Sequence, residues 1–283
     1  MGIEQNMESL SIEITRAAYP GNKKHTVLHD VQVTIPTHSF TAVIGRNGCG
    51  KSTLISCIAG LLSYEGTISL GGHPLEHLSL RERAAKIAVM QQSLRTPHIS
   101  VETLVSFGRQ PYLSLSGVLG TADHAAVEAA MQMACLFDIR DQYLDRLSGG
   151  ELRRAYLGMA LAQDTPLLLL DEATANMDID YEASFLSLLK TLPKEQNRTV
   201  ISVMHNLSAA VRYADYILVV DGGSVCFFGT PHAFCISDIP KNVFHAFPVI
   251  AEIPRSFEQG EKHSLGENST GARIFFDAEG TIL

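Results

Sequence analysis

The stretch GRNGCGKST, residues 45–53, carries the most specific chemistry in the chain. It fits the spacing G-x-x-x-x-G-K-[ST] through Gly45, Gly50, Lys51 and Ser52. Glycines let a loop turn its amides onto phosphate oxygens, the lysine reaches the β- and γ-phosphates, and the hydroxyl after it can ligate Mg2+. Cys49, inside the loop, reads as a small spacer. Two further stretches supply groups that such a site needs. LLLLDEA ends an apolar run in Asp171 and Glu172. The first carboxylate can hold Mg2+ through water, and the second, displaced toward the γ-phosphate, can polarise an attacking water. VISVMHNL ends another apolar run in His205, which at a strand tip on the ligand-binding edge can donate a hydrogen bond to a γ-phosphate oxygen. Alone, each is an ordinary polar strand end; beside the glycine-rich loop they form a constellation.

A second pair of glycines poses a question. In LDRLSGGELRRA, residues 144–155, Ser148 precedes Gly149 and Gly150 where a helix begins. A helix start offers unpaired N–H groups and the positive end of a dipole, which together favour an anion. The chain therefore carries two phosphate cradles.

The elements that must position these groups follow from hydrophobic period. LSIEITRAAY and VLHDVQVTI alternate apolar and polar residues and predict antiparallel strands with one wet face. FTAVIG predicts a strand, RNGCG a turn and KSTLISCIAGLL a helix; GTISLGG is another short strand, and SLRERAAKIAVMQQ a helix leading into the strand IAVM. From residue 93 to 162 the pattern turns helical: SVETLVSFGR, TADHAAVEAAMQMACLFDI and ELRRAYLGMALAQ repeat apolar residues at i, i+3, i+4, with QPYLSLSGVLG as a loop between. After Pro166 strands and helices alternate again. The fold class expected is α/β, a mostly parallel sheet with an antiparallel β subdomain and an inserted helical subdomain. Beyond Thr230 regularity fades, and residues 236–283 read as an appendix with one or two strands. Its last apolar stretch, ARIFF, is expected to pack on the sheet or on a partner copy.

Composition narrows the classes. A chain of 283 residues with 46% apolar content can bury a large core. Lys and Arg number 22 against 30 Asp and Glu, a net charge of −8, which argues against nucleic-acid binding. Cys49, Cys57, Cys135, Cys226 and Cys235 form no C-x-x-C and read as free thiols of a reducing compartment. His73 and His77 are four apart, but the Gly and Pro of GGHPLEHLS argue against a helix that would pair them on a metal. The N-terminus has no cationic start with an apolar core, and no apolar run approaches the ~20 residues of a membrane span. Any membrane role is expected to come through a partner.

In order, GRNGCGKST, the glutamine of AVMQQS, LSGGE, LLLLDEA and the MH pair resemble the ATP-binding subunits of ABC transporters, P-loop NTPases, over residues 8 to 235. VETLVSFGRQPYLSLSGVLG is similar to the V-x-x-L-V-x-x-G-R-x-P-Y stretch of the ATPases of iron–siderophore, haem and vitamin B12 importers. The resemblance implies that Gly45, Arg46, Asn47, Gly48, Cys49, Gly50, Lys51, Ser52 and Thr53 bind ATP, and that Tyr19 stacks on adenine. It implies that Gln92 touches Mg2+ and water and reports to membrane subunits, so that Ser52, Gln92 and Asp171 share the metal. Glu172, His205 and Lys51 would be catalytic. Two copies would bind head to tail, with Ser148, Gly149, Gly150 and Glu151 of one closing over the nucleotide of the other and Asp178 in the crossing segment. The implied partners are that second copy, transmembrane permease subunits and, indirectly, a substrate-binding protein, with no nucleic acid; the implied place is the cytoplasmic face of the membrane. The implied task is uptake of an iron–siderophore or related iron chelate, with haem, cobalamin or a metal ion as alternative cargo. ABC ATPases of chromosomes or ribosomes fit less well, since no long coiled coil separates Lys51 from Ser148 and the chain has one cassette. Departures from the family pattern are Gln91 and Ala173 in place of prolines, Met177 in place of leucine and Asn206 in place of aspartate. Gln91 and Gln92 compete for the glutamine role, and spacing favours Gln92.

Overall fold

The computed structural model describes residues 9–20, 26–114, 117–175, 177–252 and 272–277. The alternating N-terminal segments pair as β1 (Ser9–Ala17) and β2 (Leu28–Pro36), antiparallel, with Ile12 opposite Val33 and Leu10 opposite Ile35. Those apolar positions are buried while Glu13, Gln32 and Thr34 are exposed, so one face is dry and the other wet. β4 (Tyr64–Leu70) and the two-residue β5 (His73–Pro74) extend this sheet in the order β2-β1-β4-β5.

The central sheet contains β3 (Phe40–Ile44), β6 (Ile87–Met90), β7 (Leu167–Leu170), β8 (Thr199–Val203), β9 (Tyr216–Asp221) and β10 (Ser224–Gly229). Its order is β10-β9-β3-β8-β7-β6; every pair is parallel except β10 with β9. A parallel sheet covered on both faces needs apolar residues at every position, which is why β7 reads LLLL. The period of two then divides the strands between two cores. Phe40, Leu168, Leu170 and Ile217 face the helical block. Leu167, Leu169, Ile201 and Leu218 face α1 (Lys51–Ala59) and the antiparallel sheet.

The helical block comprises α3 (Val101–Ser106), α4 (Thr121–Met133) and α5 (Gly149–Ala162). α2 (Leu80–Ala84) leads into β6 as expected. Two details differ from the sequence reading. The expected loop QPYLSLSGVLG begins as the end of a 3-10 turn, Phe107–Tyr112. α4 also stops before LFDI, because Cys135 turns left-handed at φ 51°. The GRxPY stretch acts as a fastener: Arg109 Nε donates to Asp123 Oδ1 at 2.9 Å, Arg109 Nη1 to the Ala162 carbonyl at 2.8 Å, and the Tyr112 hydroxyl to the Gln163 carbonyl at 2.8 Å. Gly108 lets the backbones meet, since a Cβ there would stand 2.2 Å from the Met159 carbonyl oxygen.

α6 (Ile179–Gln196) and α7 (Leu207–Tyr213) complete the α/β alternation. The region beyond Thr230 is more regular than its sequence suggests. Its described residues form two short helices, α8 (Pro231–Ile236) and α9 (Ile239–Phe244), then the antiparallel pair β11 (Phe247–Glu252) and β12 (Ala272–Asp277), with β12 beside α7. Helix α8 straddles the expected boundary at residue 236, and its Phe234 is wholly buried. Six-residue helices are too short to display a 3.6 period. The legible signal was the cap, Thr230 accepting from the Ala233 N–H with Pro231 in the first turn. Among the described residues no helix is long and apolar enough to cross a membrane.

Candidate functional site

The functional side chains leave the carboxyl ends of adjacent parallel strands, where open α/β sheets bind ligands. Gly45 follows β3, Gln92 lies two residues past β6, Asp171 follows β7 and His205 lies two past β8. Gly50 caps α1 at φ 111°, a left-handed conformation that favours glycine. It has no side chain to satisfy the first amides, and no acidic residue occupies the first turn, so the positive helix end is left for an anion. Lys51 is 5% exposed, and its Nζ donates to the carbonyls of Gly45 and Arg46, both at 2.9 Å. A buried ammonium whose hydrogen bonds go to backbone carbonyls is a strong attractor for phosphate.

Ser52 Oγ donates to Asp171 Oδ1 at 2.9 Å. Burial pushes the Asp171 carboxyl above its ordinary 3.8, and the Ser52 hydroxyl pulls the other way. Glu172 sits at φ 51°, a strained conformation for a non-glycine residue of the sort found at reactive centres. It joins two neighbours: Oε1 is 2.7 Å from His205 Nε2, and Oε2 accepts from Gln92 Nε2 at 2.5 Å. Because Gln92 donates its amide N–H to Glu172, its carbonyl oxygen is the atom left for a cation. Ser52, Asp171 and Gln92 are hard oxygen donors without a thiolate or imidazole, a set suited to Mg2+.

These groups border a cleft of about 460 Å3, lined by Tyr19, Val27, Asn47, Gly48, Gly50, Lys51, Ser52, Thr53, Gln92, Glu172 and His205. Tyr19 is half exposed, with its hydroxyl 3.3 Å from Thr53 Oγ1. Gln91 does not line the cleft; Gly45, Arg46 and Cys49 complete the loop behind it, and Asp171 reaches it through Ser52. Val27 was missed as a site residue, because the first apolar residue of the alternating run VLHDVQVTI carries no spacing that sets it apart.

The second cradle lies elsewhere. None of Ser148, Gly149, Gly150, Glu151 and Asp178 lines the cleft. Ser148 caps α5, its Oγ accepting from the Glu151 N–H at 3.3 Å, while Glu151 Oε2 accepts from the Ser148 N–H and hydroxyl at 2.9 and 2.7 Å. Hydrogen bonds from that hydroxyl, then from the backbone N–H, hold the Glu151 carboxyl below its ordinary 4.5. Asp178, exposed just before α6, belongs to the same neighbourhood, since Gly150 abuts the Tyr181 ring and the Arg154 guanidinium lies 5.3 Å from its centre.

The ABC transporter family profile matches residues 28–175. The ferric enterobactin transport ATP-binding protein FepC of Escherichia coli (strain K12) is 36% identical over 236 residues, 83% of this chain and 87% of that protein. The iron(3+)-hydroxamate import ATP-binding protein FhuC of Bacillus subtilis (strain 168) is 34% identical over 252 residues, 88% of this chain and 93% of that protein. Among solved structures, a dimeric ATP-binding cassette in a post-hydrolysis state, bound to ADP and Pi, superposes with a TM-score of 0.69 at 23% identity, covering 78% of this chain and 98% of that one. A glycine-rich loop, strand-end carboxylates and a distant serine–glycine helix start thus occur on a shared fold and at substantial identity: the chain belongs to the ABC transporter family, as one of its ATP-hydrolysing subunits.

Proposed function

We propose that the chain hydrolyses MgATP in a head-to-tail dimer and thereby powers import of an iron–siderophore or related iron chelate through separate permease subunits at the cytoplasmic face of the membrane. The observation that carries the chemistry is the Gln92–Glu172–His205 linkage at the mouth of the P-loop cleft. In this reading the amides of Gly48 to Thr53 and the Lys51 ammonium bind the β- and γ-phosphates, and Tyr19 stacks on adenine. Ser52, Asp171 and Gln92 would hold Mg2+, which when bound neutralises phosphate charge. A Glu172 oxygen takes a proton from water as the water oxygen attacks the γ-phosphorus in line, and the bond to the β–γ bridging oxygen breaks to release ADP. His205 orients the Glu172 carboxylate and the γ-phosphate. Ser148, Gly149 and Gly150 of the second copy supply a hydroxyl and amides to the same phosphate, with Glu151 bracing Ser148 and Asp178 at the crossing. Two cradles on one chain are then two half-sites, which accounts for a signature that stays outside its own P-loop cleft.

The cargo reading rests on the relatives, whose names specify ferric enterobactin and iron(3+)-hydroxamate. The test is uptake by cells carrying this chain with its permease, using labelled iron chelates, haem and cobalamin in parallel. Iron-chelate uptake abolished by Lys51→Ala supports the reading. Uptake of only haem or cobalamin overturns the cargo while leaving the ATPase intact.

A further inference from the structure

Arg46, the second residue of the P-loop, does not line the cleft. Its guanidinium instead reaches 199 positions along the chain: Nε donates to the Val243 carbonyl at 2.6 Å, and Nη2 lies 2.8 Å from His245 Nε2. A guanidinium only donates, so in this contact the imidazole accepts through Nε2. Val243 offers one of the last carbonyls of α9, which have no partner within the helix and which a cation complements. The turn that presents both acceptors is well made. The His245 N–H donates to the Lys241 carbonyl and the Ala246 N–H to the Pro240 carbonyl, each at 3.1 Å, and His245 adopts φ 53° where helices ordinarily end in glycine or asparagine. The turn is also rooted, with Val243 buried and the Phe244 ring edge-on to the wholly buried Phe234 at 6.2 Å. At the other end, the Arg46 carbonyl accepts from Lys51 Nζ. One residue therefore connects the C-terminal turn to the lysine that the phosphates need.

We propose that His245 and the α9 turn are positioning elements of the nucleotide site, clamping the P-loop through Arg46 in its phosphate-ready shape. The proposal rests on the ATPase reading above. A loop that samples other shapes binds with an affinity reduced by the fraction of time it is competent, so losing the clamp acts on ATP affinity before it acts on chemistry. Glycine would meet the left-handed conformation of this cap as well or better, so the imidazole can be removed without removing the turn.

The test uses the full chain. His245→Gly gives the cap the residue its conformation prefers and removes only the imidazole. The expected result is a rise of about five- to tenfold in KM for ATP and in the dissociation constant of methylanthraniloyl-ATP, with kcat within about twofold and an unfolding midpoint equal to or above wild type. His245→Gln, whose amide oxygen can accept from Arg46, is expected to recover most of the affinity. The proposal is overturned if His245→Gly binds the analogue as wild type does, or if affinity and unfolding midpoint fall together in both variants. A wild-type chain that neither binds the analogue nor hydrolyses ATP overturns the ATPase reading itself, a result distinct from normal hydrolysis indifferent to His245.

Discussion

Replacing Glu172 by glutamine separates the chemistry of the carboxylate from its part in the architecture. The wild-type oxygens accept from His205 at 2.7 Å and from Gln92 at 2.5 Å. A glutamine of the same shape keeps both contacts: its oxygen accepts from Gln92, and its NH2 donates to His205 Nε2 once the imidazole carries its proton on Nδ1. What is lost is charge assistance, on the order of 1 kcal/mol per hydrogen bond and less on the His205 side, where the imidazole is half exposed. For a chain of this size that is an unfolding midpoint lowered by about 2–4 °C for each kcal/mol. Loss of a general base costs about 10²- to 10⁴-fold in rate, roughly 3–5 kcal/mol in the barrier. The cost to the barrier is therefore the larger of the two, by about 1–4 kcal/mol. The assay is phosphate release at saturating MgATP, beside equilibrium binding of methylanthraniloyl-ATP and size exclusion with MgATP, where an uncleaved nucleotide is expected to hold the closed dimer. Turnover within about threefold of wild type, with binding intact, would refute the assignment of Glu172 as base.

Composite sites predict that Lys51→Ala and Ser148→Arg, each inactive alone, regain about a quarter of wild-type activity when mixed, since half the dimers then contain one intact P-loop facing one intact signature; no recovery argues against sites shared between copies. Gly108→Ala is expected to lower stability by about 1–3 kcal/mol, because its Cβ would meet the Met159 carbonyl oxygen at 2.2 Å and the Gln163 nitrogen at 2.9 Å, and an unchanged unfolding midpoint contradicts that packing. The depressed Glu151 carboxyl sets a direction with pH. Its stabilising box is complete above its ordinary 4.5 and is lost as pH falls through the lower folded value, so the midpoint gap between wild type and Glu151→Ala should narrow in acid; a constant gap refutes the linkage.

The parallel core and the P-loop were legible because physics restricts them to few residue types. A strand buried on both faces must read like LLLL, and a loop wrapping phosphate must read like GRNGCGKS. The carboxylates and His205 were legible as polar residues ending apolar runs, since in a parallel sheet those ends share one edge. Other features depend on where the chain returns to itself. The bond from Arg46 to Val243 spans 197 positions, and no local pattern at either end announces it. Glu172 was legible as a carboxylate, but its left-handed backbone at the bend after β7 and its joint contact with His205 and Gln92 were not. α8 and α9 were hidden by brevity, leaving only Thr230 and Pro231 as signs.

The spacing between the two cradles also has a physical content that motif order alone does not convey. Leaving Gln92, the chain is fastened to the turn that introduces Ser148: the His98 ring stacks on Tyr143 at 4.1 Å, its Nδ1 lies 3.1 Å from Asp145 Oδ2, and the Leu144 N–H donates to the Ile99 carbonyl at 3.0 Å. Tyr156 of α5 adds a hydroxyl bond to the Arg95 carbonyl at 2.7 Å. At the far end of α5, Gln163 Nε2 donates to the carbonyls of Ala84 and Ile87, the latter at the start of the strand that delivers Gln92. The signature helix is thus tied to the Gln92 segment at both its ends, once beyond the glutamine and once before it. A displacement of Gln92 relative to the sheet must strain one set of these bonds or carry α5 with it. Since Gln92 also donates to the Glu172 carboxylate, one chain of contacts runs from the carboxylate proposed as base to the helix that carries Ser148.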